Sequence, residues 1–204
     1  MTNLQPESVS RETLADSTLI NKYFPGQEDA IRAYAEFLIT AGIERGLIGP
    51  REGERIWERH IFNCLPVTTL FKEGATVFDI GSGAGLPGIV IALARPDLKV
   101  TLIEPLQRRV DFLEEATTGT GITVIRGQAQ SVKKSADYVT ARAVAPLEKL
   151  KKISWHLIKP GGSLLAMKGE NAAAEMATVP GARLHEISLE GIEAARIVEV
   201  PKGA

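Results

Sequence analysis

FDIGSGAGLPG, residues Phe78 to Gly88, is the stretch on which the fold turns. The apolar run Thr76–Ile80 enters it and reads as a buried strand. The apolar run Leu86–Arg95 leaves it and reads as a helix. Asp79, Gly81, Gly83 and Gly85 spell D-x-G-x-G-x-G, while Gly83, Gly85 and Gly88 also spell G-x-G-x-x-G, the dinucleotide fingerprint. Register separates the two. If Gly83 opened a dinucleotide turn, Gly81 and Ser82 would have to end the strand, yet glycine is a poor strand residue and the apolar run stops at Ile80. If Gly81 opened it, the third glycine would fall on Leu86.

Charge gives a second discriminator. Asp79 closes the strand, where it would repel a pyrophosphate and attract the ammonium group of S-adenosyl-L-methionine. At about 4 Å such an attraction is worth roughly 1 kcal/mol in water and about 4 kcal/mol at an effective dielectric of 20. The loop glycines let the backbone pass close under the ligand, and the helix beginning near Leu86 and Pro87 is expected to turn its N–H groups toward a carboxylate. Three alternating glycines are read as more than one turn needs. The competing reading is a tight strand-to-helix turn without a ligand.

Outward from the loop, strands and helices alternate. Lys99–Glu104, Ile122–Arg126, Asp137–Arg142 and Ser163–Met167 read as strands; Pro105–Ala116, Pro146–Ile158 and Asn171–Ala177 read as helices. Lys159-Pro160-Gly161-Gly162 reads as a turn, and Ala182–Leu189 with Arg196–Val200 as a closing strand pair. The pattern predicts an α/β fold with a mostly parallel sheet covered on both faces, whose ligands sit beyond the carboxyl ends of the strands. Upstream, residues to about Phe24 are polar and expected to be poorly ordered at the very start. Gln27–Arg45 and Pro50–Leu65 read as two helices, so residues 1–70 are expected to form a tail and helical extension, and residues 71–204 the main domain.

The chain has 204 residues, 44% hydrophobic and 24% charged, with a net charge of −1, which excludes a strong overall basic field. One cysteine, Cys64, leaves no disulfide partner within the chain. The polar start lacks a signal core, and no apolar run reaches the roughly 20 residues of a membrane span. A cytoplasmic monomer without membrane contact or a bound metal is expected.

The other strand ends supply candidate side chains. Glu104 is placed to accept two ribose hydroxyls, or to serve as an acid near the start of the next helix. The loop Gly127-Gln128-Ala129-Gln130 brings Ala129 and Gln130 toward an adenine edge, or is a plain polar loop. Arg142 ends its strand where the reacting end of a ligand should lie. It would hold an anion, either the ligand carboxylate or a nucleic-acid phosphate, or pair with Glu104 or Asp79. His60 lies on an apolar helix face, where a hydrogen-bonded core histidine is commoner than a catalyst. Arg51, Arg55, Arg59, Arg108, Arg109, Lys149, Lys151, Lys152 and Lys168 are candidates for a basic rim or for solvated helix faces.

ERHIFNCL (Glu58–Leu65), DIGSGAGLPGI (Asp79–Ile89), ARPDLKVTLIEPLQRRVDFL (Ala94–Leu113), TARAVAPLEKL (Thr140–Leu150) and MKGE (Met167–Glu170), in this order, resemble the glucose-inhibited division protein B family, bacterial 16S rRNA guanine-N7 methyltransferases G, and its actinobacterial members in particular. The resemblance implies a class I S-adenosylmethionine-dependent methyltransferase with a Rossmann-like fold. Its acceptor would be 16S rRNA or the 30S particle, methylated at N7 of one guanine in the loop at about position 527, an exposed base of the kind RNA loops offer. It further implies cofactor contacts at Gly81, Leu86, Ala129, Gln130 and Arg142, and a substrate side at Arg59, His60 and Lys168. Many members carry Arg in place of Gln128 and Glu in place of Gln130, so this chain lacks a charge at each position. Rival readings are a class I methyltransferase with a small-molecule or protein acceptor, and a non-catalytic S-adenosylmethionine-binding module.

Overall fold

The computed structural model describes residues 14–203; the expected poorly ordered start lies outside them. The later part of the polar stretch is helix α1, Leu14–Tyr23, which composition alone concealed. It is held by Ile20 and Phe24, both fully buried. Helix α2, Glu28–Phe37, follows at the predicted place but gives way to a wide π-type turn at Leu38–Gly42.

The expected helix over Pro50–Leu65 is instead a chain of short turns: 3-10 at Glu52–Arg55, π-type at Ile56–Ile61, then 3-10 at Phe62–Cys64 and Pro66–Leu70. Tertiary contacts override the periodicity here. The His60 carbonyl accepts the Cys64 thiol at 3.0 Å and an Arg142 N–H at 3.4 Å, which ties the segment sideways to the sheet.

The rest is a seven-stranded sheet in the order β3-β2-β1-β4-β5-β7-β6. Its strands are β1 (Thr76–Ile80), β2 (Lys99–Glu104), β3 (Thr123–Arg126), β4 (Ala136–Arg142), β5 (Ile158–Lys168), β6 (Arg183–Leu189) and β7 (Ile192–Pro201). Helices α3 (Gly88–Ala94), α4 (Gln107–Ala116), α5 (Leu147–Ser154) and α6 (Ala172–Ala177) connect them. β1 to β5 pair in parallel, and β7 runs antiparallel to both β5 and β6.

Alternation along β1 feeds two cores. Val77 joins the cluster shared with α1, α2 and the short turns, while Phe78 and Ile80 join the cluster under α5. Chain order reverses between β1 and β4, and a crevice opens there beyond the carboxyl ends of the strands.

The Lys159–Gly162 segment is not a turn between elements. It lies inside β5, where β4 advances from Ala136 to Tyr138 while its partner advances from Ile158 to Ser163. Gly162 permits this bulge, because a Cβ there would lie 2.2 Å from the Asp137 carbonyl oxygen. The closing pair is longer than its apolar pattern suggested. It aligns Arg196 of β7 with Lys168 of β5 on one side and Glu186 of β6 on the other.

Candidate functional site

The loop after β1 is built from its own backbone. Gly81, Gly83 and Gly85 have φ of +65°, +60° and +97°, values L side chains rarely adopt, so the turn itself demands all three. The glycine count therefore follows from the turn and does not by itself require a ligand. Gly85 is also tightly enclosed: a Cβ would lie 2.4 Å from Ile89 Cδ1 and 2.9 Å from the Tyr34 hydroxyl. That hydroxyl donates to the Ala84 carbonyl at 2.8 Å and clamps the loop to α2.

Two acids brace the loop from behind. Glu104, fully buried, accepts the Gly83 N–H on Oε2 and the Leu106 N–H on Oε1, both at 3.0 Å. It thus staples the loop after β1 to the loop after β2, with Arg109 Nη1 at 3.7 Å. Each carboxylate oxygen keeps a second acceptor lone pair. Asp79 lies beneath the loop. Its Oδ2 accepts the Gly88 N–H at 3.2 Å, and its buried Oδ1 has no hydrogen-bond partner among the described residues. Burial pushes the Asp79 carboxyl up to about 7, against the nearby Ser82 hydroxyl first and the Gly88 N–H second, which favour the ionised form. The first N–H groups of α3 are spent internally, Gly88 on Asp79 and Ile89 on the Gly85 carbonyl, so the helix does not aim them outward as expected.

Arg142 ends β4 on the other side of the crevice. It pairs with neither Glu104 nor Asp79. Its Nη2 meets His60 Nδ1 at 3.0 Å, and its Nη1 reaches the His60 carbonyl and Cys64 Sγ, each at 3.4 Å. His60 Nε2 meets Glu52 Oε2 at 2.8 Å. Burial lowers the His60 pKa, with Glu52 opposing and Arg142 assisting. Burial also raises the Cys64 thiol to about 11, so it is a neutral thiol facing the guanidinium. The residue after Arg142, Ala143, is held at φ +55°, and Val144 beyond it projects over Gly81.

Three cavities meet at Arg142. One of about 380 Å³ follows Gly81 to Ala84 and Leu86 and is closed by Leu47, Ile48, His60, Arg109 and Ala143. A larger one of about 830 Å³ lies across Arg142 and Ala143, between the ends of β5 and β7; Arg59, Lys168, Glu175 and Arg196 are among its walls. A third, about 480 Å³, runs beside Glu52, Arg59 and His60.

Of the residues singled out in the sequence, Gly81, Gly83, Leu86, His60, Arg59, Lys168 and Arg142 come together around these cavities. Asp79, Gly85 and Glu104 support the wall from behind. Ala129 is buried, in a 3-10 turn (Ala129–Ser131) after β3, while Gln128 and Gln130 are exposed there; all three lie outside the three linings.

Several of the expected basic side chains are neutralised. Arg55 pairs with Glu58, Arg59 with Glu52, and Lys168 with Glu175 at 2.7 Å. Lys151 packs over the Trp155 ring. Sequence reading missed Glu52 altogether. Eight positions before His60, it meets the imidazole across a stretch whose winding passes from 3-10 to π-type, a pairing no regular periodicity announces.

A family model described as rRNA small subunit methyltransferase G matches residues 27–200. A protein named ribosomal RNA small subunit methyltransferase G from Mycolicibacterium gilvum is 56% identical over 154 residues, covering 72% of this chain and 68% of the relative. The protein of the same name from Thermobifida fusca is 51% identical over 177 residues, covering 83% of this chain and 72% of the relative. Among solved structures, a predicted O-methyltransferase from Agrobacterium tumefaciens superposes with a TM-score of 0.55 at 19% identity, over 72% of this chain and 81% of that one, a likeness of fold alone.

Proposed function

The chain belongs to the rRNA small subunit methyltransferase G family, and from that membership and the site geometry we propose that it methylates N7 of a single guanine in 16S rRNA, with S-adenosylmethionine as donor. One observation carries the reading. The glycine-loop cavity and the larger charged cavity meet at Arg142 and Ala143, so a donor and a large acceptor can approach one point from opposite sides.

The residues present fit the donor. Gly81, Gly83 and Leu86 offer a backbone-lined wall at the point where strand order reverses. Beneath it, Asp79 Oδ1 is a buried acceptor left without a donor among the described residues, suited to the field of a cationic ligand. S-adenosylmethionine, when bound, supplies an electrophilic methyl group on a sulfonium. In this reading Glu104 receives the ribose on its remaining lone pairs, with Gln128, Ala129 and Gln130 toward the adenine. Arg142 bridges the donor's carboxylate and an RNA phosphate.

Guanine N7 carries an in-plane lone pair and no proton, so no side chain has to act as a base. The protein's tasks are alignment and exclusion of water. A cationic product ring favours nearby acceptors, and Glu170, Glu175 and Glu193 line the larger cavity. Arg59, Lys168 and Arg196 line it too and are suited to the RNA backbone. Among the described residues no helix is long and apolar enough to cross a membrane, and a ribosomal acceptor puts the reaction in the cytoplasm.

The test is transfer from labelled S-adenosylmethionine to naked 16S rRNA and to 30S particles, both from a strain lacking the modification, followed by identification of the labelled nucleoside. The expected result is 7-methylguanosine at one site. Label in another nucleoside, or only in a protein or small molecule, overturns the acceptor assignment.

A further inference from the structure

The Arg142 guanidinium is held by an unusual partner for a cation, an imidazole. A guanidinium has only N–H donors, so the 3.0 Å contact from Nη2 to His60 Nδ1 requires a lone pair on Nδ1. A neutral ring then carries its single hydrogen on Nε2, where Glu52 Oε2 accepts it at 2.8 Å. The other tautomer would point an Nδ1–H at an Arg142 N–H and leave Nε2 facing a carboxylate, two donor–donor or acceptor–acceptor clashes at once. Glu52 is itself pinned, its two oxygens 3.2 and 3.3 Å from Arg59 Nη1.

We infer that Glu52 is a positioning residue which, by fixing the Nε2–H tautomer of His60, parks Arg142 at the junction of the donor and acceptor cavities. The inference goes beyond the family reaction, and its kinetic arm rests on the bridging role proposed above for Arg142. It makes the segment Glu52–His60, from outside the parallel sheet, part of the reaction's alignment.

The charged groups around His60 set its response to pH, Arg55 and Glu58 along the adjoining cavity and Arg109 across the glycine-loop cavity among them. With them are Glu52 and Arg59 from its own segment, Arg142 from β4, and Glu193 from β7 across the adjoining cavity. Protonation of the ring would place a donor on Nδ1 and expel the guanidinium. Transfer should therefore fall on the acid side as His60 protonates. Glu52 opposes the burial-driven lowering of the His60 pKa. Its neutralisation should move the acid limb to lower pH while lowering the plateau, because the tautomer is no longer fixed.

The experiment uses Glu52→Gln, Arg142→Ala and the double variant, with two readouts. Nitrogen-15 NMR of the free protein reports the His60 tautomer directly. In the wild type it should show Nε2–H, and in Glu52→Gln a mixture. Steady-state transfer to the RNA substrate should fall about tenfold in Glu52→Gln, with the acid limb shifted down, and Glu52→Gln should add little in the Arg142→Ala background, since the two act in series. An Nδ1–H tautomer in the wild type, or an unchanged tautomer and pH profile in Glu52→Gln, overturns the inference. Full activity of Arg142→Ala instead sinks the bridging role of Arg142, and the NMR readout then still decides whether Glu52 orders the ring.

Discussion

The two sides of the crevice are built on opposite principles. On the glycine-loop side, each support pairs a backbone group of the loop with a side chain anchored in the core. Gly83 N–H meets Glu104, Gly88 N–H meets Asp79, Tyr34 clamps Ala84, and the acids are buried. Across Arg142, the walls are long charged side chains already paired with one another, such as Lys168 with Glu175 and Arg59 with Glu52. A small ligand of fixed shape calls for a rigid, preformed wall. A large polyanion is met by cations whose present partners can be exchanged for phosphates. The weak net charge of −1 fits recognition by shape and local pairing more than by a general field.

The sharpest way to break this contrast is at Gly85. Gly85→Ala combines a forbidden φ of +97° with overlap onto Ile89 and Tyr34. It should cost about 3 kcal/mol in chemical denaturation. A loss below about 1 kcal/mol would mean the loop yields easily and is not a preformed wall. Next is Arg142→Ala, expected to lower the turnover of methyl transfer by about a hundredfold with a native melting profile. A fall in stability with no fall in turnover would make the residue a strut only.

A pH experiment probes the buried acid. The Asp79 carboxyl titrates near 7 in the folded protein against an ordinary value of 3.8. Between those values the folded state binds more protons than the unfolded one, so stability contributed at Asp79 falls as pH rises from about 4 to about 7. Asp79→Asn removes that titration. Relative to wild type, the variant should gain about 2 kcal/mol between pH 5 and pH 7.5, read from paired denaturant melts. A pH-independent difference would place the carboxyl in a wetter setting than the structure does.

The smallest effect belongs to the charged rim. Arg55→Gln breaks an exposed pair with Glu58 and should leave the denaturation midpoint unchanged, with the salt dependence of RNA binding unchanged as well. A salt slope reduced by about one unit would instead assign Arg55 a phosphate contact.

Much of the loop side was legible from sequence, because its determinants are local. The strand Thr76–Ile80, the turn glycines and the acid at Glu104 are set within a few residues of each other or one strand apart. The glycines serve the turn as well as any ligand, since their positive φ values show that the turn itself requires them. Arg142 was legible as a residue of interest at a strand end, but its partners were not. The expected acids lie elsewhere, and the actual partners, His60 and Cys64, come from a segment 82 and 78 positions away. The Gln128–Gln130 loop carries no periodic or steric signal, so its side chains stayed undetermined from sequence, and they lie outside the cavity linings.

The sequence alone determined the alternation of strands and helices, the family, and the strand ends that face the crevice, since hydrophobic period and turn chemistry are local properties of the chain. The tertiary structure alone decided that residues 52–70 would be a run of short turns, that Lys159–Gly162 would become a bulge within β5, and that Glu52, His60 and Arg142 would line up. Each of these depends on a side chain or carbonyl finding its partner on another element, and that energy outweighs the modest local preference of the segment concerned.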